Sequence, residues 1–170
     1  VEGVILDSQT TIGELKRFSE NPSVKAIVIR IDSPGGGVVP SQEIYNAVKQ
    51  VRSKHNKAVI ASMGSVAASG GYYIAAATDR IVANPGTLTG SIGVIMETAN
   101  VEGLLQKIGV EGVVIKSGKY KDVGSPLRKM STDERGLLQG VMDDVHKQFI
   151  EAVAEGRSLE LRAAQALADG

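Results

Sequence analysis

The stretch VKAIVIRIDSPGGG, Val24 to Gly37, decides how the rest of the chain reads. Its first half is apolar and rich in β-branched residues, the pattern of a strand buried on both faces. Its second half is a Pro-Gly turn, which ends the strand and sends the chain elsewhere. Beyond the turn, VVPSQEIYNAVKQVRSKH carries Ile44, Val48 and Val51 at helical spacing, so a helix capped by Ser41 is expected. KAVIASM, Lys57 to Met63, reads as a second buried strand, and GSVAASGGYYIAAA, Gly64 to Ala77, as a turn followed by a helix from Ser69 to Ala77. Strands alternating with helices predict an α/β fold with a mostly parallel sheet and crossover helices.

Reading outward, TTIGELKRFSEN, Thr10 to Asn21, is a helix with Ile12, Leu15 and Phe18 along one side. DRIVANPGTLTGSIGVIM gives two short strands, VEGLLQKIG a short helix, and EGVVIKSG a further strand. Ser131 and Glu134 form a capping box ahead of a long amphipathic helix with Leu137, Leu138, Val141, Val145, Phe149 and Val153 on its apolar face. SLELRAAQALADG adds a last helical turn or two. With no repeat, linker or low-complexity tract, residues 1–170 are expected to form a single domain.

Composition narrows the function. The 170 residues include 19 basic and 19 acidic side chains, so the net charge is zero and no basic surface argues for nucleic acid. There is no Cys, hence no disulfide and no thiolate metal site. Neither a metal nor a cofactor is expected. The longest apolar run, around Ala26 to Ile31, falls far short of the roughly 20 residues that cross a bilayer. A start at Val1 and an end at LADG read as cut ends of a longer chain.

Two strand-to-helix turns, Ser33 to Gly37 and Gly64 to Gly71, should lie at the carboxyl ends of strands, where α/β folds build their sites. The first lacks both GxxxxGK[ST] and GxGxxG, so phosphate binding has no support; its bare N–H groups suit an oxyanion instead. The second holds Ser69, which reads either as a helix cap or as a nucleophile. A nucleophilic Ser needs a base. The two histidines offer little: His55 ends a polar helix and His146 lies within the long one, both read as surface positions, and the GxSxG elbow is missing. A neutral Lys can replace His, although lowering its pKa from about 10.4 to about 7 costs roughly 4 kcal/mol. Lys116, Lys119 and Lys121 in KSGKYKDVGSP are the candidates, and residue chemistry alone leaves the three equal.

IDSPGGG, GSVAASGGYYIA, GTLTGSIGV and SGKYKDVGSP, in this order and spacing, resemble the signal peptide peptidase A family of serine proteases. The resemblance runs from about Val24 to the end of the chain. It implies stacked ββα units like those of crotonases and caseinolytic (Clp) proteases, and a Ser/Lys dyad. Carried over by motif, Ser69 is the nucleophile and Lys121, which follows Tyr120, the general base. The N–H groups of Gly36 and Gly70 form the oxyanion hole, and Ser91 is similar to a Ser that hydrogen-bonds the dyad Lys. The resemblance also implies apolar peptide substrates such as signal-peptide remnants, a ring-like homo-oligomer, and a bacterial membrane location through an anchor outside this chain. Two rival readings are a crotonase-like acyl-CoA enzyme, which would need an acidic base, and a silent membrane scaffold, which would have lost Ser69 or Lys121.

Overall fold

A parallel ladder between two apolar strands organises the chain. The computed structural model describes residues 1–170, with α1 (Gln9–Glu20), β1 (Ala26–Ser33), α2 (Val38–His55), β2 (Ala58–Ala68), α3 (Gly70–Ala76), β3 (Arg80–Val82) and β4 (Leu88–Gly90) in order. Three helices follow: α4 (Glu102–Lys107), α5 (Thr132–Arg157) and α6 (Leu161–Ala166). β1 pairs with β2 from Ala26↔Ala58 to Ile31↔Met63, and the register slips between Ile31 and Ser33. β2 then pairs successively with β3, at Ile60–Ser62, and β4, at Val66–Ala68. Every pairing is parallel, as the alternation of strands and helices predicts.

β1 departs from expectation in one respect. Ile27, Ile29 and Ile31 are buried, but Val28 between them is 63% exposed, so the strand buries one face rather than two. Beside it, the first residues act as a short partner. The Asp32 N–H donates to Val1 O (2.9 Å), Gly3 N–H to Asp32 O (3.0 Å) and Ile5 N–H to Gly35 O (2.9 Å).

The chain divides into two compact units, 1–94 with 146–170, and 95–145. The first holds the apolar core, including Ile31, Ile44, Val48, Val59, Met63 and Ile74, each 2% exposed or less. Full burial of such side chains contributes about 1.5–3 kcal/mol each. Tyr45, Tyr73 and Phe149 pack in series, the first pair edge to face and the second tilted, with centroids 4.9 and 4.8 Å apart, joining α2, α3 and the later turns of α5. Burial, reinforced by nearby Glu155, pushes the Tyr45 phenol up to about 12. His146, expected at the surface, is half-buried, with Nε2 3.1 Å from Ile92 O.

The second unit is held differently. Within 95–145, Glu134 alone is buried. The capping box forms as the sequence predicts: Ser131 N–H donates to Glu134 Oε2 (2.8 Å) and Glu134 N–H to Ser131 Oγ (3.3 Å). Arg128 bridges that carboxylate to Asp122, donating from Nη1 to Glu134 Oε2 (2.9 Å) and from Nε to Asp122 Oδ2 (2.7 Å). The expected strand at Glu111–Gly118 does not form. Its backbone finds no ladder, and Val113 and Ile115 are 79% and 98% exposed. Leu137 and Val141 on α5 are likewise exposed, while Phe149 and Val153 are buried, so the apolar stripe is covered only along its later turns.

Candidate active site

β2 runs five residues beyond the expected Met63, through Gly64–Ala68, where Val66–Ala68 pair with β4. Only Ser69 separates its last residue from the first of α3. Ser69 sits at φ 51°, ψ −121°, a positive-φ conformation that costs a non-glycine residue roughly 1–3 kcal/mol. Its backbone is fixed from both sides: Ser69 N–H donates to Gly90 O (2.9 Å), and Ser69 O accepts from Tyr73 N–H (2.8 Å). Its hydroxyl does not cap α3. The half-buried Oγ therefore stands in a strained turn with no structural task.

The Ser33–Gly37 loop lies directly against this turn. A Cβ on Gly35, whose φ is 104°, would come within 2.7 Å of Ser69 Cβ and 2.8 Å of Gly70 N. A Cβ on Gly70 would land on Ser41 Oγ and lie 3.4 Å from Gly36 N. The loop is held from outside by Gly37 N–H donating to Ile5 O (2.8 Å) and from inside by Gly35 N–H donating to Ser33 Oγ (3.1 Å). Neither the Gly36 nor the Gly70 N–H is committed to an acceptor within the chain. Two unspent donors on adjacent backbone segments beside a hydroxyl match the needs of a developing oxyanion. Asp32, at the end of β1, secures the approach to the turn by accepting Val66 N–H at Oδ1 (3.0 Å).

Ser69, Gly36 and Gly70 are thus brought together. Ser91 is exposed, at φ 50°, next to the Gly90 whose carbonyl holds Ser69; its own carbonyl accepts Gly93 N–H (3.0 Å). Lys121 belongs to the 95–145 unit, where the three candidate lysines differ. Lys116 Nζ pairs with Asp122 Oδ1, and Lys119 Nζ with Asp133 Oδ2 at 2.9 Å. The bond to Asp133 holds the Lys119 ammonium well above the ordinary lysine range. Lys121 is exposed and makes no ion pair. Sequence reading missed the buried Ser33 and the clamp from Ile5; Ser41 it noticed, but as a cap. Gly37 is the residue before α2, and Ser41 lies inside the first turn.

Comparison with known proteins gives this arrangement its context. The profile of peptidase family S49 matches residues 51–170, the span that includes Ser69, Gly70, Ser91 and Lys121. The chain belongs to peptidase family S49. A Clp protease profile matches residues 7–87, in keeping with the parallel α/β core of this S49 chain. Among relatives, a Synechocystis protein provisionally named as a protease is 49% identical over 151 residues, covering 89% of this chain and 54% of its own. A protein of Enterococcus faecium with the provisional name signal peptide peptidase SppA is 39% identical, covering 95% of this chain and 47% of its own. Serine protease SPPA of Arabidopsis thaliana chloroplasts is 36% identical, covering 99% and 25%. The S49 chain thus spans about half or less of the length of these relatives.

Proposed function

We propose that the protein is a serine endopeptidase in which Ser69 is the nucleophile and Lys121 the general base. The observation that carries this reading is Ser69 itself, held at positive φ with an uncommitted hydroxyl beside the N–H groups of Gly36 and Gly70. Family membership supports the peptidase class, and the motif resemblance supports Lys121. The ion pairs of Lys116 and Lys119 support the same choice, because each of these amines is already engaged by a carboxylate.

In this mechanism the Lys121 amine takes the Ser69 proton as Oγ attacks the scissile carbonyl. The carbonyl oxygen becomes an oxyanion held by Gly36 and Gly70 N–H. Collapse breaks the C–N bond, and the departing amine takes the proton from Lys121. Water, deprotonated by Lys121, then attacks the acyl ester; collapse breaks the C–Oγ bond, and Ser69 Oγ takes the proton back from Lys121. The small side chains of SVAASGG favour an extended peptide bound through its main chain, with small or apolar residues in the pockets. We assign signal-peptide remnants as the substrate class, a homo-oligomer as the working form, and a bacterial membrane as the location of the longer protein. No helix here is long and apolar enough to cross a membrane, so anchoring would fall to another segment.

The test is a panel of equal-length peptides with Ala, Leu, Lys or Asp at P1, run alongside fluorophosphonate labelling. Cleavage after Ala or Leu, with a label on Ser69, supports the reading. A preference for Lys or Asp overturns the pocket assignment, and failure to label Ser69 overturns the nucleophile.

A further inference from the structure

Ser41 is 2% exposed, yet its hydroxyl serves more than α2. It donates to Gly37 O at 2.8 Å, one turn back, which any Ser in a first helical turn can do. The position of that oxygen is less ordinary. It fills the space a Cβ of residue 70 would occupy, so the hydroxyl lies against the Gly70 backbone while tied to the Gly37 carbonyl. The same vacant Cβ position is 3.4 Å from Gly36 N. One side chain therefore touches both backbone segments that carry the two uncommitted N–H groups.

We propose that Ser41 is a positioning residue that sets the spacing of the Gly36 and Gly70 N–H donors, and so tunes oxyanion stabilisation without touching substrate. The inference rests on the serine-peptidase reading given above. Without the hydroxyl, the Gly37 carbonyl loses a hydrogen bond and the Gly70 turn loses its spacer. The loop then drifts by a fraction of an ångström. Hydrogen bonds to an oxyanion are steep in distance and angle, and deleting one such donor outright costs about a hundredfold to a thousandfold in kcat. Misplacing both donors partly should cost about tenfold to a hundredfold.

The experiment compares wild type, Ser41→Ala, Ser41→Cys and Ser69→Ala on a P1-Ala peptide substrate, and measures binding of the matching peptide boronate, whose tetrahedral adduct places an oxygen between the two donors. Ser41→Ala should lower kcat about tenfold to a hundredfold, leave KM within about twofold and weaken the boronate in step with kcat. Ser41→Cys, with its weak donor of similar size, should recover part of both. A Ser41→Ala enzyme with wild-type kcat overturns the proposal. So does a loss carried by KM with boronate affinity intact, or an Ala variant that fails to fold while the Cys variant is fully active with unchanged boronate affinity. Retained activity in Ser69→Ala overturns the underlying peptidase reading instead, and this inference with it.

Discussion

Gly35 and Ser69, thirty-four positions apart, touch so closely that a Cβ on the first would sit 2.7 Å from the Cβ of the second. The next obstacle, Gly70 N at 2.8 Å, is backbone and cannot swing aside. Gly35→Ala should therefore destabilise the protein by about 1–3 kcal/mol, from the positive φ and the clash together, and lower kcat by more than stability accounts for. Thermal unfolding and peptide turnover measured on one preparation check it; a variant with normal turnover would show that the loop need not lie against the turn.

Removing the Ser69 hydroxyl should abolish turnover by at least a few thousandfold, whether the replacement is Ala or Gly. The two variants should differ in stability. Gly accepts φ 51° without strain, so Ser69→Gly should be more stable than Ser69→Ala by about 1 kcal/mol, despite the greater entropy of an unfolded glycine. For a chain of this size that is about 2–4 °C in Tm. Equal melting temperatures would mean that the turn stores no strain.

Lys121→Arg should be inactive, because a guanidinium stays protonated and cannot serve as a base. Lys119→Ala should be nearly silent: its partner Asp133 is exposed, and surface pairs contribute about 1 kcal/mol or less. A Lys121→Arg enzyme with near-normal activity would remove Lys121 from the mechanism.

Acid should loosen the 95–145 unit through the two carboxyls that Arg128 holds low, Asp122 and Glu134. Arg128, helped by the Ser131 N–H, holds Glu134 down to about 2 from an ordinary 4.5. A carboxyl depressed on folding contributes stability in full above the unfolded value, and that contribution is lost as pH falls from about 4.5 through about 2. Urea unfolding of wild type and Glu134→Gln should differ most above pH 5 and converge on acidification. A gap independent of pH would place the role of Glu134 in shape rather than charge.

Much of this was legible in the sequence where periodicity and local chemistry agreed. β1, α1, the Ser131–Glu134 cap and the Ser69 turn follow from residues close in sequence. The misreadings share a cause in long-range partners. β2 extends through Gly64–Ala68 because β4 lies beside that edge, which nothing in GSVAA announces. Glu111–Gly118 has β-branched residues but no neighbour for its backbone. Ser41 looked like a cap because its contact with Gly70 spans twenty-nine positions, and the part played by Ile5 left no local signal.

The Tyr45–Tyr73–Phe149 series also decides how the protein can be watched with light. With no Trp and only four Tyr, near-ultraviolet absorption is almost wholly tyrosyl, and three of the four, Tyr45, Tyr72 and Tyr73, lie in the 1–94 and 146–170 unit. Two of those three are locked edge to face at 4.9 Å, the fixed asymmetric setting that gives tyrosine strong circular dichroism. Near-ultraviolet dichroism should thus follow the junction of α2 with α3, the helix that begins one residue after Ser69. Tyr120, one residue from Lys121, is the sole tyrosine of the other unit and is 40% exposed. Replacing it with Phe would leave a spectrum that reports on the serine's scaffold alone.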